Sequence, residues 1–330
     1  MEDAIKTKGL TKKFEDLIAV NRVSLTIRKG ELFGLLGPNG AGKTTFISML
    51  CTIINSSAGE GEVWGFDIEG EAEKVRKAIG IVFQDPSLDE QLTGRENLDF
   101  HGRLYGLEKE LRSERIDEVL KLVELEVNAD NLVKTYSGGM RRRLEIARGL
   151  MHRPKVLFLD EPTLGLDPQT RRRIWDYILK LNKEEHVTIL LTTHYMDEAD
   201  FLCDRIGIID YGKIIALGTP EELKKAVRGD VVTLNVQDGS KLLKVLEDKS
   251  WIKELKVVDD GINLSVDDGE GLIPKIIELA RERNIVVDSV GLRKPTLEDV
   301  FIHYTGRSIR EEKGSHKDKI KAILRARRRR

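Results

Sequence analysis

The segment 37–45 carries glycines and a lysine at a spacing that suits phosphate binding. Its letters, GPNGAGKTT, fit the pattern G-x-x-x-x-G-K-[ST] between an apolar strand predicted at Leu32–Leu36 and a helix predicted at 46–51. The glycines let the backbone wrap and aim N–H groups at phosphate oxygens, and the helix adds its positive N-terminal end. We therefore expect Lys43 to reach the β- and γ-phosphates of a nucleotide and the Thr44 hydroxyl to bind Mg²⁺.

Two adjacent carboxylates, Asp160 and Glu161, directly follow the apolar run 156–159. We expect Asp160 to hold the metal, directly or through a water, and Glu161 to be left free to polarise an attacking water. A carboxylate pair at a strand end is often only a cap or a solvated turn. After so apolar a strand, in a chain with a phosphate-binding loop, it favours nucleotide hydrolysis, because the loop itself is shared by kinases, GTPases and ATPases.

Two further polar residues, Gln84 and His194, each follow a predicted strand. Taken singly, Gln84 could be a loop amide and His194 a structural cap. In an open parallel sheet, however, ligands lie outside the carboxyl ends of the strands. We therefore expect both side chains to converge with Gly37 and Asp160 on one site.

A second anion site is predicted where Ser137, Gly138 and Gly139 begin a helix. Ser137 is a good N-cap, so the segment could be an ordinary capped helix with an apolar stripe behind it. The two glycines also leave the helix N-terminus bare, with an exposed hydroxyl. Two phosphate-binding helix ends in one chain suggest that they meet across a dimer.

The elements that must position these residues fall into two groups. Residues 1–30 alternate short apolar segments with turns, which indicates antiparallel β structure. Between 31 and 210, unbroken apolar runs alternate with helical stretches, as in a parallel sheet covered by helices, and 89–133 is predicted to be mostly helical. After Thr219 and Pro220 the order β-α-β-β-α-β matches the ferredoxin-like arrangement.

Composition narrows the class of protein. The 330 residues suffice for about two domains at roughly 150 residues each. Hydrophobic residues make up 40% and charged residues 34%, which excludes collagen-like and wholly disordered chains. No apolar run is long enough to span a bilayer, and the start of the chain does not resemble a secretory signal. The two cysteines, Cys51 and Cys203, are expected to be reduced core residues of a cytosolic protein.

The charge is unevenly distributed along the chain. Residues 307–330 have a net charge of +8, with 11 Lys or Arg and 3 Asp or Glu. Because the whole chain has a net charge of −1, the first 306 residues have a net charge of −9. We expect the tail to be mobile, either simply solvated or in contact with an anionic membrane surface. The acidic body is a poor general binder of nucleic acid, so no nucleic-acid partner is expected.

Together these motifs resemble those of ABC transporter ATPases. Segment 37–45 is similar to the Walker A motif, Gln84 to the Q-loop and 136–140 to the signature, whereas 157–161 resembles Walker B, 165–167 the D-loop and His194 the switch histidine. The resemblance covers about 4–220 in the family's order. Tyr136 and Met140 replace the ends of the usual signature, but its Ser-Gly-Gly centre is intact.

The resemblance implies a head-to-tail homodimer, or pseudo-dimer, with two ATP molecules between the Walker A motif of one subunit and the signature of the other. It implies catalytic roles for Lys43, Glu161 and His194. Phe14 falls where the family places an aromatic residue against adenine. The implied metal ligands for Mg²⁺ are Thr44, Gln84 and Asp160. The implied nucleotide contacts are Phe14, Gly37, Pro38, Asn39, Gly40, Ala41, Gly42, Lys43, Thr44, Thr45, Gln84, Ser137, Gly138 and Gly139.

The implied fold class is α/β: a P-loop NTPase of the ABC-cassette fold, with an antiparallel β subdomain, a helical subdomain and a small α+β (ferredoxin-like) C-terminal domain. We expect an ATPase domain at 1–220, with its helical subdomain at about 88–147. The C-terminal domain is expected at 221–306 and the basic tail at 307–330.

Residues 136–143, 192–200 and 294–301 resemble the drug-export branch typified by daunorubicin-resistance ATPases. Partner permeases of that branch are separate integral membrane polypeptides, so the expected location is cytoplasmic and peripheral, on the inner face of the cell membrane. The expected function is ATP hydrolysis that powers export of drugs or other hydrophobic molecules.

Two other classes of function remain possible at this point. One is a soluble ABC ATPase acting on DNA or ribosomes. It is disfavoured because such proteins usually carry a long coiled-coil insertion or two cassettes in one chain, whereas this chain has one P-loop. The other is a purely structural dimer, which would leave Glu161 and His194 idle.

Overall fold

The computed structural model describes residues 2–84, 87–227, 229–236, 239–258 and 261–305. The chain forms two compact units, Met1–Thr219 and Pro220–Arg330. The basic tail expected at 307–330 lies outside the described residues. No helix in the described ranges is both long enough and apolar enough to cross a membrane.

The first unit alternates strands and helices along most of its length. Its strands are β1 (Asp3–Phe14), β2 (Leu17–Arg28), β3 (Leu32–Leu36), β4 (Ala58–Val63), β5 (Phe66–Asp67), β6 (Ile79–Val82), β7 (Val156–Asp160), β8 (Thr188–Thr193), β9 (Arg205–Asp210) and β10 (Lys213–Gly218). Its helices are α1 (Lys43–Leu50), α2 (Ala72–Ala78), α3 (Gly94–Leu104), α4 (Lys109–Leu122), α5 (Gly138–Leu150), α6 (Pro168–Lys183) and α7 (Met196–Leu202), with single 3-10 turns at Glu126–Asn128 and Val133–Thr135.

The central sheet has the strand order β10-β9-β3-β8-β7-β6. Neighbouring strands are parallel from β9 to β6, and β10 is antiparallel at the edge. The strands β3, β7 and β8 are buried along their whole length, because their apolar side chains face protein on both sides. The predicted buried parallel sheet is confirmed, and the carboxyl ends of β3, β6, β7 and β8 lie at one edge.

A second, antiparallel sheet has the order β2-β1-β4-β5. Buried and exposed residues alternate along the second half of β2, as expected for a sheet with one face in the core. That core is shared with the central sheet and with α1. Ile27, Phe33, Phe46 and Phe158 are fully buried within it. The core thereby fixes the start of α1 against the end of β3.

The helices α3, α4 and α5 form the helical part of the first unit, where mostly helical structure was predicted. A capping box begins α3, because the Thr93 hydroxyl accepts from the Glu96 N–H and the Glu96 carboxylate accepts from the Thr93 N–H. Arg112 of α4 pairs with Asp99 of α3. Both α3 and α4 pack against α5, and α5 in turn packs against β6, so Ser137 at the start of α5 lies beside the central sheet.

The second unit contains α8 (Pro220–Ala226), β11 (Asp230–Val236), α9 (Gly239–Leu246), β12 (Ile252–Val258), β13 (Gly261–Val266), α10 (Gly269–Glu282), β14 (Val287–Arg293) and α11 (Leu297–Thr305). Its sheet is antiparallel with the order β12-β13-β11-β14. This is the ferredoxin-like order, so that prediction is confirmed. Leu234, Leu242, Leu264 and Ile276 fill its core from both the strands and the helices.

Candidate active site

The phosphate-binding loop connects β3 to α1 through a tightly packed turn. A Cβ atom on Gly37 would lie 2.3 Å from the carbonyl oxygen of Ile209, and one on Gly42 would lie 2.3 Å from that of Ala19. Gly42 also has φ +104, in the left-handed region that glycine tolerates best. The chain can therefore adopt this turn only with glycine at these positions, and α1 then begins at Lys43.

The side chain of Lys43 is turned back into the loop and is only 5% exposed. Its Nζ donates to the carbonyl oxygens of Gly37 at 2.8 Å and Pro38 at 3.1 Å, and it lies 3.1 Å from Oε1 of Glu161. A buried ammonium needs such partners, because an uncompensated charge in the interior is costly. The positive charge thus lies at the centre of the loop, where the phosphates of a nucleotide were expected.

Glu161 links two other predicted site residues, Lys43 and His194. Its Oε2 lies 2.8 Å from Nδ1 of His194, while its Oε1 contacts Lys43. Burial raises the pKa of the Glu161 carboxyl, but the hydrogen bond with His194 and the charge of Lys43 lower it more, to below its ordinary value. The carboxylate is therefore ionised at neutral pH. It is held by two partners, whereas the sequence had led us to expect it to be free.

The backbone at Glu161 adopts an uncommon conformation, with φ +48. Non-glycine residues reach this left-handed region only at a cost, and surrounding contacts must stabilise them. One such contact is made by Thr192, the neighbouring residue on β8. The Glu161 N–H donates to the Thr192 hydroxyl at 3.1 Å and lies 3.2 Å from the Thr192 carbonyl oxygen.

Asp160 ends β7 beside the same threonine and is 1% exposed. The Thr192 hydroxyl donates to Oδ1 of Asp160, so one hydroxyl links both carboxylate residues of the motif. Thr44 lies in the first turn of α1 and is exposed. Gln84, just after β6, is also exposed. The hydroxyl, the amide and the carboxylate supply the oxygen ligands that Mg²⁺ prefers.

Phe14 and Ser137 lie outside this hydrogen-bonded cluster. Phe14 ends β1 and is 44% exposed, with Lys12 Nζ 5.0 Å from its ring centre. Ser137 caps α5, because its Oγ accepts from the Met140 N–H at 3.2 Å. The structure thus brings Lys43, Glu161 and His194 together, whereas the predicted adenine and signature contacts have no hydrogen bond with them among the described residues.

The two glycines of the signature pack against the start of α6. A Cβ atom on Gly139 would lie 2.3 Å from Cγ2 of Thr170, and one on Gly138 would lie 3.6 Å from Leu166. Asp167 caps α6 by accepting from the N–H groups of Gln169 at 3.1 Å and Thr170 at 3.0 Å. The signature helix and the segment that follows Glu161 are therefore in direct contact within one chain.

Comparison with known proteins places this chain in a family. Residues 20–164 match a family model described as ABC transporter, and 218–305 match one described as the C-terminal domain of DrrA1-3-like ATP-binding proteins. The chain is 40% identical over 307 residues to the daunorubicin resistance ATP-binding protein DrrA3 of Streptomyces coeruleorubidus, covering 92% of this chain and 96% of that protein. The chain belongs to the ABC transporter ATP-binding proteins. It is an ATPase of that family, and the relatives compared with it do not support the alternative of a protein acting on DNA or ribosomes.

Solved structures of ABC ATP-binding proteins share the fold. CbiO1 of Clostridium perfringens, part of the ABC transporter complex cbiONQ, is 31% identical with a TM-score of 0.64, covering 68% of this chain and 91% of that one. The cassette MJ0796, solved as a dimer bound to ADP and Pi, is 30% identical with a TM-score of 0.59, covering 65% of this chain and 98% of that one. The predicted ABC-cassette fold is thus confirmed.

Sequence reasoning did not identify two residues that hold this ABC ATPase site together. Thr192 carries a hydroxyl group within the buried strand β8. It lies beside the end of β7 because Asp160 and Thr192 are paired in the two neighbouring strands. Arg142 is 8% exposed on α5 and bonds to the backbone around Glu161. The sequence signal for Arg142 was weak, because it stands between two other arginines.

Proposed function

We propose that this ATPase powers an exporter of drugs or other hydrophobic molecules, as a homodimer bound to a separate membrane permease. The observation that carries the catalytic part is the buried cluster of Lys43, Glu161 and His194 at the phosphate-binding loop. The relative named for daunorubicin resistance supports the export part. In this proposal 1–220 form the ATPase domain and 221–306 the C-terminal domain.

ATP binding would release Glu161 from Lys43 and so prepare the cluster for hydrolysis. The γ-phosphate competes with Glu161 for the ammonium of Lys43, because both are anions directed at the same Nζ. Once Lys43 binds phosphate, one carboxylate oxygen of Glu161 is released to accept a proton from the attacking water. His194, 2.8 Å from the other oxygen, orients the carboxylate during this step.

Mg²⁺ fits the oxygen ligands at the edge of the sheet. The Thr44 hydroxyl, the Gln84 amide and the Asp160 carboxylate would hold it, and the ion would neutralise charge on the phosphates. Thr192 contributes by fixing the orientation of Asp160 through the hydrogen bond to Oδ1. The remaining carboxylate oxygen of Asp160 is then available to the ion or to a water bound to it.

A second copy of the chain completes the nucleotide site. The N-terminus of α5 carries the exposed residues Gly138 and Ser137, and a helix N-terminus attracts phosphate. Since Ser137 does not contact the Lys43 cluster of its own chain, it is free to bind ATP held by a partner subunit. Phe14, at the end of β1, would stack on the adenine.

The permease is proposed to dock on the helical part of the first unit, at the cytoplasmic face of the membrane. Phe100 and Leu104 are four residues apart on α3 and are 59% and 67% exposed, so they form an exposed apolar pair on one side of this helix. Beside them is a cavity of about 200 Å³ whose lining includes Ser87, Leu92, Asn97, His101 and Arg148. The cavity suits a short amphipathic helix of a permease loop, with apolar residues facing α3.

Burial, with the nearby charge of Arg148 and the neighbouring His152, lowers the pKa of His101 to about 4. His101 is therefore neutral in the lining of this cavity under physiological conditions, so it adds no charge to that of Arg148.

Docking is tested by co-purification of this chain with its permease from the membranes of cells that produce both. A double substitution, Phe100→Glu with Leu104→Glu, should abolish co-purification from detergent-solubilised membranes. Leu217→Glu, a matched change at an exposed leucine of β10, should leave it unchanged. Equal recovery of all three proteins would overturn the docking site.

Export is tested separately in cells that express both proteins. Cells with the wild-type pair should retain less of a fluorescent hydrophobic drug than cells whose ATPase carries Lys43→Ala. Equal retention would rule out ATP-driven export of that drug class by this pair.

A further inference from the structure

Arg142 is a buried arginine on α5 whose bonds all lead to backbone or side-chain groups near the catalytic cluster. Its Nε donates to the carbonyl oxygen of Pro162 at 2.7 Å and its Nη2 to that of Asp160 at 3.0 Å. Its Nη1 donates to the carbonyl oxygen of Phe83 at 2.6 Å. One guanidinium therefore contacts the chain on both sides of Glu161 and immediately before Gln84.

These bonds bear directly on the conformation of Glu161. The backbone there is left-handed, with φ +48, and such a conformation persists only when its surroundings determine it. Arg142 holds the carbonyl groups before and after Glu161, while Thr192 holds its N–H. Without Arg142 the turn would lose two of the hydrogen bonds that hold it, and the Glu161 carboxylate would no longer be oriented toward Lys43.

Glu145, one helical turn further along α5, is the counter-ion of Arg142. The Oε2 of Glu145 lies 2.8 Å from Nη1 of Arg142, and its Oε1 accepts from the Ser87 N–H at 2.9 Å. Both members are nearly fully buried, at 8% and 2% exposure. A buried ion pair contributes little net stability compared with apolar packing, because desolvation of both charges offsets their attraction. Stability alone does not account for this pair.

The position of the pair on α5 indicates what it does. Ser137 caps the same helix, and Arg142 lies on the second turn, facing the chain around Glu161. Glu145 and Arg142 also bond to Ser87 and Phe83, which flank the segment containing Gln84. A single helix thus connects the residues that would face the partner's ATP with the glutamate that would act on its own.

We propose that Arg142, with Glu145, is a positioning residue for hydrolysis: it holds Glu161 in its reactive orientation and fixes that orientation relative to the signature helix. This inference rests on the proposed catalytic role of Glu161. The role requires the guanidinium itself, because three donors in one plane reach three carbonyl groups that a single ammonium cannot reach together.

The first test compares Arg142→Lys with Arg143→Lys in the full-length chain. Arg143 is a matched control, since it also bonds backbone carbonyl groups, those of Val123 at 2.8 Å and Glu124 at 3.2 Å, but away from Glu161. Arg142→Lys should lower kcat for ATP by about 10- to 100-fold, the loss typical of a misplaced catalytic group. KM for ATP should not rise by more than about twofold, since the contacts that are lost act in the transition state and not in ATP binding. Arg143→Lys should change neither constant.

The second test asks whether Arg142 acts through Glu161. In the Glu161→Gln background, Arg142→Lys should cause almost no further loss of the residual rate, because the group that it positions is already gone. A full additional loss in that background would overturn the proposal. An equal loss of kcat in Arg143→Lys, or a large rise in KM with unchanged kcat in Arg142→Lys, would overturn it as well.

Glu145→Gln provides a second variant if Arg142→Lys folds poorly. The amide keeps an acceptor for the Ser87 N–H but removes the counter-ion, so kcat should fall several-fold with KM unchanged; wild-type kcat would contradict the proposal. Failure of the proposed function gives a different result. In that case Glu161→Gln itself would hydrolyse ATP at the wild-type rate, whatever Arg142→Lys does.

Discussion

Replacing Glu161 by glutamine tests the catalytic cluster most directly. The change removes the charge that faces Lys43 at 3.1 Å and His194 at 2.8 Å, with little change in shape. General-base catalysis contributes about 100- to 10,000-fold, so turnover should fall by that factor. ATP affinity should change in the opposite direction, because the wild-type carboxylate competes with the γ-phosphate for Lys43.

The contact between Lys43 and Glu161 sets the size of that second effect. A hydrogen bond between charged groups contributes about 1.5–3 kcal/mol net, and an amide oxygen retains part of it. A loss of about 1.4 kcal/mol corresponds to a tenfold change, so ATP should bind to Glu161→Gln about tenfold more tightly. Calorimetric titration with ATP measures affinity, and phosphate release at saturating ATP measures turnover.

Glu31→Gln is the matched control for this experiment. Glu31 is also a buried, ion-paired carboxylate, 3.0 Å from Nη1 of Arg205, but it lies at the opposite end of β3 from the phosphate-binding loop. Its replacement should leave turnover and ATP affinity unchanged. Near wild-type turnover in Glu161→Gln would refute the assignment of the base, and tenfold weaker ATP binding would refute the competition for Lys43.

The pH dependence of stability provides a further check on Glu161. Its folded-state pKa lies below the ordinary value of 4.5. A lowered carboxyl pKa means that the unfolded chain binds more protons on acidification. The stability contributed by Glu161 is therefore present above pH 4.5 and is lost as the pH falls through the lowered pKa. Glu161→Gln should lack this acid-sensitive component in urea unfolding, and an unchanged acid profile would contradict it.

Three other outcomes follow from contacts described above. Gly139→Ala should lower the free energy of unfolding by about 1–3 kcal/mol, because the new Cβ would overlap the Thr170 methyl group. Adding Thr170→Ser to that variant removes the methyl group and should restore part of the loss. Equal thermal denaturation of the single and the double variant would contradict the overlap. His101 has a pKa of about 4 in the folded protein against an ordinary 6.5, so it makes the fold less stable as the pH falls from 6.5 to 4. In His101→Phe, the free energy of unfolding measured in urea should depend less on pH across that range. A mixture of Lys43→Ala and Ser137→Ala subunits should release some phosphate from ATP, although neither variant does so alone, because one of the two sites in a mixed dimer is intact. A shared site would be excluded if the mixture released no phosphate and Ser137→Cys formed no crosslink to the partner's phosphate-binding loop.

The sequence was sufficient to predict the elements that carry the catalytic motifs. The apolar runs of these elements are short and unbroken, as in buried strands. The glycine pattern at 37–45 also predicts the strand before it and the helix after it. The ferredoxin-like order of the second unit was also visible, because a turn signal separates the two middle strands. Local patterns of this kind depend on neighbouring residues only.

The contacts between distant segments could not be predicted in this way. Spacing placed Glu161 and Lys43 at the same edge of the sheet, but it did not show that the two side chains meet. Likewise, three consecutive arginines read as one basic run, although Arg142 is buried and Arg141 pairs with Glu90. Which way each side chain points depends on the helix axis relative to the sheet, and packing across the whole unit determines that axis.

The central position of β3 has a consequence for the synthesis of this chain. β3 pairs with β8 and β9, whose residues Leu191 and Ile206 both lie opposite Gly34 although they come far later in the sequence. The phosphate-binding loop therefore cannot be enclosed by its neighbours until the ribosome has produced most of the first unit. Until then the apolar edges of β3 remain open to other nascent chains or chaperones. The second unit pairs strands from within its own short span, so it can close soon after it emerges.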